Sequence, residues 1–416
     1  MMAAIANGTS RIKNFSTSAD CQATLSCLRQ LGVELQRAGS DVLIHGVGLR
    51  GLRASGEPLD CGNSGTTIRL LAGILAGQNF TSTLTGDESL GSRPMQRIIE
   101  PLEMMGAQIS SHDGRAPLVI QGRAPLKPII YKLLVASAQV KSSILFAGLN
   151  ANGRTEVTEL TPTRDHTERM LQWFGVPAHV RPGDREGSRV ITIDGPIAFS
   201  GRDVTIPGDL SSASYFIAAA SLMPGSSLEI PNLGTNPSRA LFLEQMRMLG
   251  FDIEIGEEYE VSNEPRANVR VGGRKGIPES DAESLLTLRS SLVPQLIDEL
   301  PLLAVVGSQI KGGIEIRDAA ELRVKESDRI AATVEGLRAM GAEVEEFEDG
   351  LRVHGPTRLH GAKIDPRGDH RLAMSFAVAG LIAEGETEIG DAECVAVSFP
   401  EFFGLLESVV ERSRLP

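Results

Sequence analysis

DCGNSGTTIRLLAGILAG, residues Asp60 to Gly77, joins a glycine-rich head holding Ser64, Thr66 and Thr67 to a single arginine, Arg69, and an apolar helix that ends on glycine. Such a head sets backbone N–H groups and hydroxyls at a helix N-terminus, where unpaired donors and the positive end of the dipole favour an anion. One such loop is a weak signal, but related arrangements recur. Apolar helices close on glycine at Gly8, Gly77, Gly153, Gly225 and Gly385, and a sixth with a longer tail closes at Gly313. Each glycine leads into a short strand rich in β-branched residues, a polar head and a second helix, which in five cases ends at Gly32, Gly106, Gly175, Gly250 or Gly341. The period of roughly 70 residues is too long for a solenoid and reads as a duplicated α/β unit.

The two helices of a unit differ. The first, as in SYFIAAASLM and RLAMSFAVAGLIA, is apolar on nearly every side, which predicts burial all round. The second, as in RPMQRIIEPLEMMG, places Met95, Ile98, Ile99, Leu102 and Met105 near helical spacing with charges opposite, so it keeps a wet side. SLEI, GIEIR and ETEIG alternate apolar and polar residues, as strands of sheets with one solvated face do. Helices inside and sheets outside follow, with the helix heads collected on one face.

At 416 residues, 41% apolar and 4% aromatic, the chain can bury one or two cores of aliphatic residues, and two domains are expected. No apolar run approaches membrane-spanning length without a polar or glycine break, and no targeting segment precedes the first unit, so a cytoplasmic protein without a membrane partner is expected. Cys21, Cys27, Cys61 and Cys394 lack C-x-x-C spacing and are read as reduced, mostly buried thiols rather than a metal or disulfide frame. A net charge of -12 repels nucleic acid, so any anion site must be a local basic pocket.

Arg93 lies just before Pro94, which suits the first helical position, N1. VASAQVKSS puts Ser137, Gln139 and Lys141 on the next head, and TPTRDHTERM puts Arg164, Asp165 and His166 on the one after. Pro182 to Pro207 is rich in Gly, Asp, Arg and Pro with one strand-like run, VITI, so the boundary is placed near residue 205, giving domains 1–205 and 206–416 with the site in the cleft between them. The second half repeats the plan at PGDLSSASYF, TNPSRAL, IDELPLLAV, ELRVKESDR, RGDHRLAM and SFPEFF.

Arg69, Arg93, Lys141, Arg164, Arg323, Lys325, Arg329, Arg367 and Arg371 all fall within several residues of an expected helix start, with Asp298 and Glu326 among them. Arginine forks grip phosphate or carboxylate, so this inventory implies substrates with several negative groups. Two carboxylates in such company are costly unless they handle protons. Plainer readings compete. Arg97 and Arg169 suit a solvated surface, the RVKESDR run suits a charged helix face, and Asp298 suits a helix N-cap. His166 and His370 are read as hydrogen-bonded structural groups. GVGLRG (46–51) fits G-x-G-x-x-G, but no helix pattern follows it and it is read as a turn.

GNSGTTIRLLAG (62–73), SRPM (92–95), SAQVKSS (137–143), RDHTE (164–168), PGDLSSASYF (207–216), RVKESDR (323–329) and DHRLAM (369–374) stand in the order of, and resemble, the motifs of the 5-enolpyruvylshikimate-3-phosphate synthase family. With NPSR (236–239) they resemble its second class, although Ser238 stands where threonine is usual and Val397 where many members carry lysine. The resemblance implies two inverse α/β-barrel-like domains, each of three βαβαββ repeats with buried helices and outer sheets. It implies transfer of the enolpyruvyl group of phosphoenolpyruvate to the 5-hydroxyl of shikimate 3-phosphate with loss of phosphate, by a monomer without metal or organic cofactor. Ser137, Ala138, Gln139 and Arg164 would hold shikimate 3-phosphate with Asp298 and Lys325. Gly65, Arg93, Gln139, Arg329 and Arg371 would hold phosphoenolpyruvate, Asp298 would take the hydroxyl proton, and Glu326 with Lys325 would protonate the methylene carbon.

The family's first helix follows a Gly-Ser/Asp-Lys-Ser segment and an arginine, whereas this chain opens inside MMAAIANG without them. Weak or absent activity relative to a chain carrying that segment is therefore expected, because losing charge-assisted contacts of roughly 1.5–3 kcal/mol each removes decades of binding or rate. A non-catalytic phosphometabolite-binding protein is the matching alternative. The related UDP-N-acetylglucosamine enolpyruvyl transferases carry a cysteine shortly before the Arg-Pro, and GDESLGSRP has none. UDP-N-acetylglucosamine is accordingly expected to release no phosphate from phosphoenolpyruvate in a phosphate-detection assay; release would restore that alternative.

Overall fold

The computed structural model describes residues 1–273 and 285–410. It divides into two compact units, Met1–Ile206 with Glu260–Glu264, and Pro207–Tyr259 with the residues from Pro265 onward. Each has its own aliphatic core.

One repeat shows how the pattern folds. Leu59–Asp60 leads into the helix Gly65–Ala76, and the chain returns as Thr81–Thr85 parallel to the leading strand, with Leu59 opposite Leu84. A helix between parallel neighbours is the usual crossover, since a parallel pair cannot be closed by a tight turn. The helix Gln96–Met104 follows, then the hairpin Gln108–His112 and Arg115–Gln121, whose second strand pairs antiparallel with Thr81–Thr85. Ile130–Lys132, Gly153–Glu159, His179–Pro182 and Arg189–Gly195 repeat the arrangement, as do Leu286–Leu288, Ile314–Ile316, Val344–Phe347 and Gly350–Val353 in the second unit. In the first sheet the leading position beside Asn7–Lys13 is taken by Val204–Thr205, with Ile12 opposite Val204. This two-residue strand carries no local signal and is not among the expected elements. Among the described residues the last sheet has two strands, Lys363–Ile364 and Glu388–Ile389.

The helix pairs behave as their patterns predict. Leu300–Gly307 is buried throughout, and in Leu210–Leu222 only Ser212 lies outside the core. On the second helix of the Asp60 repeat, Met95, Ile98, Ile99, Leu102 and Met105 are buried, whereas Met104, one position off the stripe, is 49% exposed. Most closing glycines are left-handed, as at Gly106 (φ 104°) and Gly341 (φ 91°), where a side chain would be strained. Gly77 differs. Its φ is -89°, and what excludes a side chain there is packing, since a Cβ would lie 2.5 Å from Asn150 Nδ2.

One local expectation and two of the competing plain readings are corrected. Pro94 is not at N1, because Asp87 caps a short helix, Glu88–Ser92, for which Arg93 is the C-cap, and the next helix starts at Gln96. RVKESDR is not a charged helix face but a 3₁₀ turn, Ala320–Val324, then a loop, with the helix beginning at Arg329. Asp298 is not an N-cap, since the position before Leu300–Gly307 is Glu299. GVGLRG is the end of the strand Asp41–Val47 followed by a turn. Cys27 and Cys61 are buried and Cys21 and Cys394 half-buried, and all four thiols are free. No single helix among the described residues is long and apolar enough to cross a membrane.

Two buried helices of the first unit, Gly65–Ala76 and Ala138–Gly148, meet at Gly73, where a Cβ would lie 2.1 Å from the Ser143 carbonyl oxygen. Backbone cannot yield as a side-chain end can, so Gly73→Ala is expected to lower stability by about 2 kcal/mol or more, read as a fall in the urea midpoint at unchanged slope.

Candidate active site

In the first unit the helices Gly65–Ala76 and Ala138–Gly148 present their N-termini near one another. Ser64 caps the first by accepting from Thr67 N (3.1 Å), and Ser137 caps the second by accepting from Val140 N (3.4 Å). Gln139 bridges them, its Oε1 accepting from Arg69 Nη1 at 2.5 Å and its Nε2 donating to Thr66 Oγ1 at 2.9 Å. These two bonds fix which way the amide faces. Arg93 is buried and donates to Asn63 Oδ1 (2.6 Å) and Ser89 Oγ (3.2 Å), while Asn63 Nδ2 donates to Asp87 Oδ2 (2.7 Å). Two guanidiniums converge over Gly65, where a Cβ would lie 3.1 Å from Arg69 Nη1 and 3.2 Å from Arg93 Nη1. With the helix dipole behind them they make a cradle for an anion. Ser137, Ala138 and Gln139 are half-buried beside it, and Arg164 is half-buried on the loop before the helix His166–Trp173.

In the second unit the cluster centres on Arg329, which begins the helix Arg329–Ala339. Asp369, fully buried, accepts from its Nε at 2.8 Å and its Nη2 at 3.2 Å, Glu326 Oε2 accepts from Nη2 at 2.6 Å, and Asp298 Oδ1 lies 3.5 Å from Nη1. Asp369 also caps the helix His370–Ile382 by accepting from Arg371 N at 2.9 Å. Lys325 is half-buried, and desolvation holds it below the usual lysine range against the pull of Asp298. A buried guanidinium needs this many acceptors to repay its desolvation. The arrangement offers three carboxylates, of which Asp369 is committed to Arg329, together with one ammonium and the guanidiniums of Arg329 and Arg371, enough to grip an anion and move a proton beside it.

The charged residues read as head groups therefore sort into two kinds. Gly65, Arg93 and Gln139 come together, as do Asp298, Lys325, Glu326, Arg329 and Arg371. Lys141 does not face an anion site, because it is wholly buried against Glu159 and Glu168. Arg323 is tied to Asp328 (2.8 Å) and Glu346 (3.0 Å), and Arg367 to Glu335. Arg169 pairs with Asp165 at 3.0 Å. His166 bonds Glu264 (2.7 Å), in keeping with a structural role. Two residues not singled out from the sequence also matter: Asp369, whose place just before an apolar helix is an N-cap signal, and Glu299, which with Arg239 and Ser211 forms a buried hydrogen-bonded group at the start of the helix Leu210–Leu222.

A comparison with protein families matches residues 1–406 to EPSP synthase (3-phosphoshikimate 1-carboxyvinyltransferase). The chain belongs to the EPSP synthase family. Among its relatives, the 3-phosphoshikimate 1-carboxyvinyltransferase of Koribacter versatilis is 49% identical over 415 residues, covering 99% of this chain and 93% of the relative. The protein of the same name from Salinibacter ruber is 47% identical, covering 98% and 93%. Among solved structures, EPSP synthase from Acinetobacter baumannii superposes with a TM-score of 0.83 at 39% identity, covering 98% of this chain and 91% of that one. An enolpyruvyl transferase from Streptomyces tendae shares the fold, with a TM-score of 0.74 at 18% identity, covering 98% and 90%. The inverse α/β architecture expected from the motifs is the architecture found.

His370 follows Asp369 in this EPSP synthase family member and is buried, with desolvation and then Arg371 pushing it down to about 4. It is neutral at pH 7. Because the unfolded chain takes up this proton at higher pH than the folded one, the contribution is fully present above about pH 6.5 and is lost as pH falls through about 4, up to about 3 kcal/mol. Urea unfolding at pH 7 and pH 4.5 is expected to show a smaller loss for His370→Leu than for wild type.

Proposed function

We propose that the protein transfers the enolpyruvyl group of phosphoenolpyruvate to the 5-hydroxyl of shikimate 3-phosphate and releases phosphate. Family membership across nearly the whole chain carries this reading, and the two charged clusters supply the chemistry it needs. The reaction adds the hydroxyl oxygen to C2 of phosphoenolpyruvate while C3 gains a proton; the C2–O bond to phosphate then breaks and C3 gives a proton back. It needs an acceptor for the hydroxyl proton, a group that delivers and removes the C3 proton, and cations for the phosphate and carboxylate groups.

Ser137, Ala138, Gln139 and Arg164 hold shikimate 3-phosphate, with Asp298 and Lys325 at its reacting end. Gly65, Arg93, Gln139, Arg329 and Arg371 hold phosphoenolpyruvate. Gly65 contributes backbone, because its lack of a side chain leaves room beneath the Arg69 and Arg93 guanidiniums. Asp298 takes the hydroxyl proton, and Glu326 with Lys325 serves C3. Lys325 suits that task, since a desolvated ammonium parts with its proton more easily than an exposed one. The reading places the protein in the cytoplasm, as a monomer acting on small molecules.

The test is phosphate release from phosphoenolpyruvate with and without shikimate 3-phosphate. Release that depends on shikimate 3-phosphate is expected, with Asp298→Asn and Glu326→Gln each lowering kcat by about two decades or more. Binding of both substrates without turnover would overturn the catalytic reading.

A further inference from the structure

Lys141 is the largest buried cation in the first unit that the proposed reaction does not use. It lies in the first turn of the helix Ala138–Gly148, two residues past Gln139, yet its side chain has no exposure. Its ammonium has three N–H donors and three acceptors around it: Glu168 Oε1 at 2.7 Å, the Arg164 carbonyl oxygen at 2.9 Å and Glu159 Oε1 at 3.1 Å. The three acceptors belong to different parts of the chain. Glu159 ends the strand Gly153–Glu159, Glu168 sits in the first turn of the helix His166–Trp173, and Arg164 is on the irregular loop between them.

Further bonds fasten that loop on either side of Arg164, at its far end through Asp165 to Arg169 and His166 to Glu264. Glu159 Oε1 accepts from Thr163 N at 3.2 Å and from the Thr163 hydroxyl, and Ser142 Oγ meets Thr167 Oγ1 at 2.6 Å. Lys141 and Glu159 thus grip two consecutive residues, Thr163 and Arg164, by groups that cannot shift without uncovering a buried charge. The ionic group is uneven, with one ammonium against two carboxylates, and Glu168 Oε2 has no hydrogen-bond partner among the described residues. Desolvation raises the Glu168 carboxyl, and Lys141 opposes that rise. Burying three ionisable groups for packing alone is expensive compared with an apolar cluster of the same volume.

We propose that Lys141 is a positioning residue for shikimate 3-phosphate, acting through Arg164, whose backbone it anchors so that the guanidinium is held where the substrate's anionic group binds. The inference rests on the reading of Arg164 given above. Lys141 touches no substrate; it sets the place of the residue that does, and a guanidinium displaced by about an ångström loses most of its bidentate advantage.

A double-mutant cycle read by calorimetric binding of shikimate 3-phosphate tests it without requiring turnover. Lys141→Met is expected to weaken binding about tenfold or more in the wild-type background and to have almost no effect in an Arg164→Ala background, because coupled positions are not additive. Breaking a buried pair can prevent folding, so the same cycle is run with Lys141→Met combined with Glu168→Leu, which removes the ammonium with its shorter carboxylate partner and leaves Glu159 with its Thr163 bonds. A purely structural lysine would lower the melting temperature and weaken binding equally in both backgrounds. Equal losses, or unchanged affinity in the folded variants, overturn the inference. Wild-type protein that binds no shikimate 3-phosphate overturns the functional reading and this inference with it, whereas wild-type binding with an additive cycle overturns this inference alone.

Discussion

The contact between Gly73 and the Ser143 backbone is the constraint on which the first unit's cluster depends. Two helices that meet backbone to backbone cannot slide along or rotate about one another without collision, so their N-termini are held in register. Only then do Arg69, Thr66 and Gln139 stand within hydrogen-bond distance across the helix pair. A glycine in mid-helix costs about 1 kcal/mol of helix propensity, and here the return is a fixed spacing between two anion-binding helix ends. The apolar sides of both helices serve the same end. With most of their flanks buried, the ends are where polar chemistry can be placed.

Both units then handle charge in the same manner. A cation begins or nearly begins a helix, is taken out of water and is matched by carboxylates from neighbouring segments: Lys141 with Glu159 and Glu168, Arg329 with Asp369, Glu326 and Asp298. Such groups add little net stability, since desolvation consumes most of the attraction, but they tolerate few alternative geometries. Rigidity of loops that carry binding residues is what they supply. The same accounting separates them from Arg323 and Arg367, whose ion pairs are part exposed and screened, and which brace surface turns.

Much of this was legible in the sequence because the governing signals are local. Helices apolar all round, a wet-sided partner helix and a closing glycine specify the repeat, and Ser64, Ser137, Asp209 and Asp369 sit at N-caps where their side chains satisfy helix donors. What was not legible is where a side chain points. A lysine four residues past an N-cap serine has the same local signature whether it turns outward to a phosphate or inward to Glu159 and Glu168, because the acceptors come from elements 18 and 27 positions away. The two-residue strand Val204–Thr205 escaped for the same reason, since its partner is Ile12–Lys13. Pro94 misled because Asp87 caps a helix that a reading of SRP as a helix start leaves no room for.

The second cluster also explains how an acidic chain can take anionic substrates. Around Arg329 the positive groups Arg329 and Lys325 sit among Asp298, Glu326 and Asp369, the Arg371 guanidinium is matched by Asp298, Glu299 and Asp209, and buried His370 is neutral, so carboxylates offset every positive group of the cluster. A balanced buried cluster is tolerable without a ligand, whereas three bare guanidinium and ammonium groups would repel one another and hold the site apart. Lys325 is the adjustable member, because desolvation alone already loosens its proton. An anion arriving beside it adds a charge that favours the ammonium, and departure of the anion removes that hold. On the proposed function, the lysine therefore keeps its proton most firmly while phosphoenolpyruvate is bound and releases it most easily when the substrate's charge is reduced, which couples binding to the proton's movement without any further group.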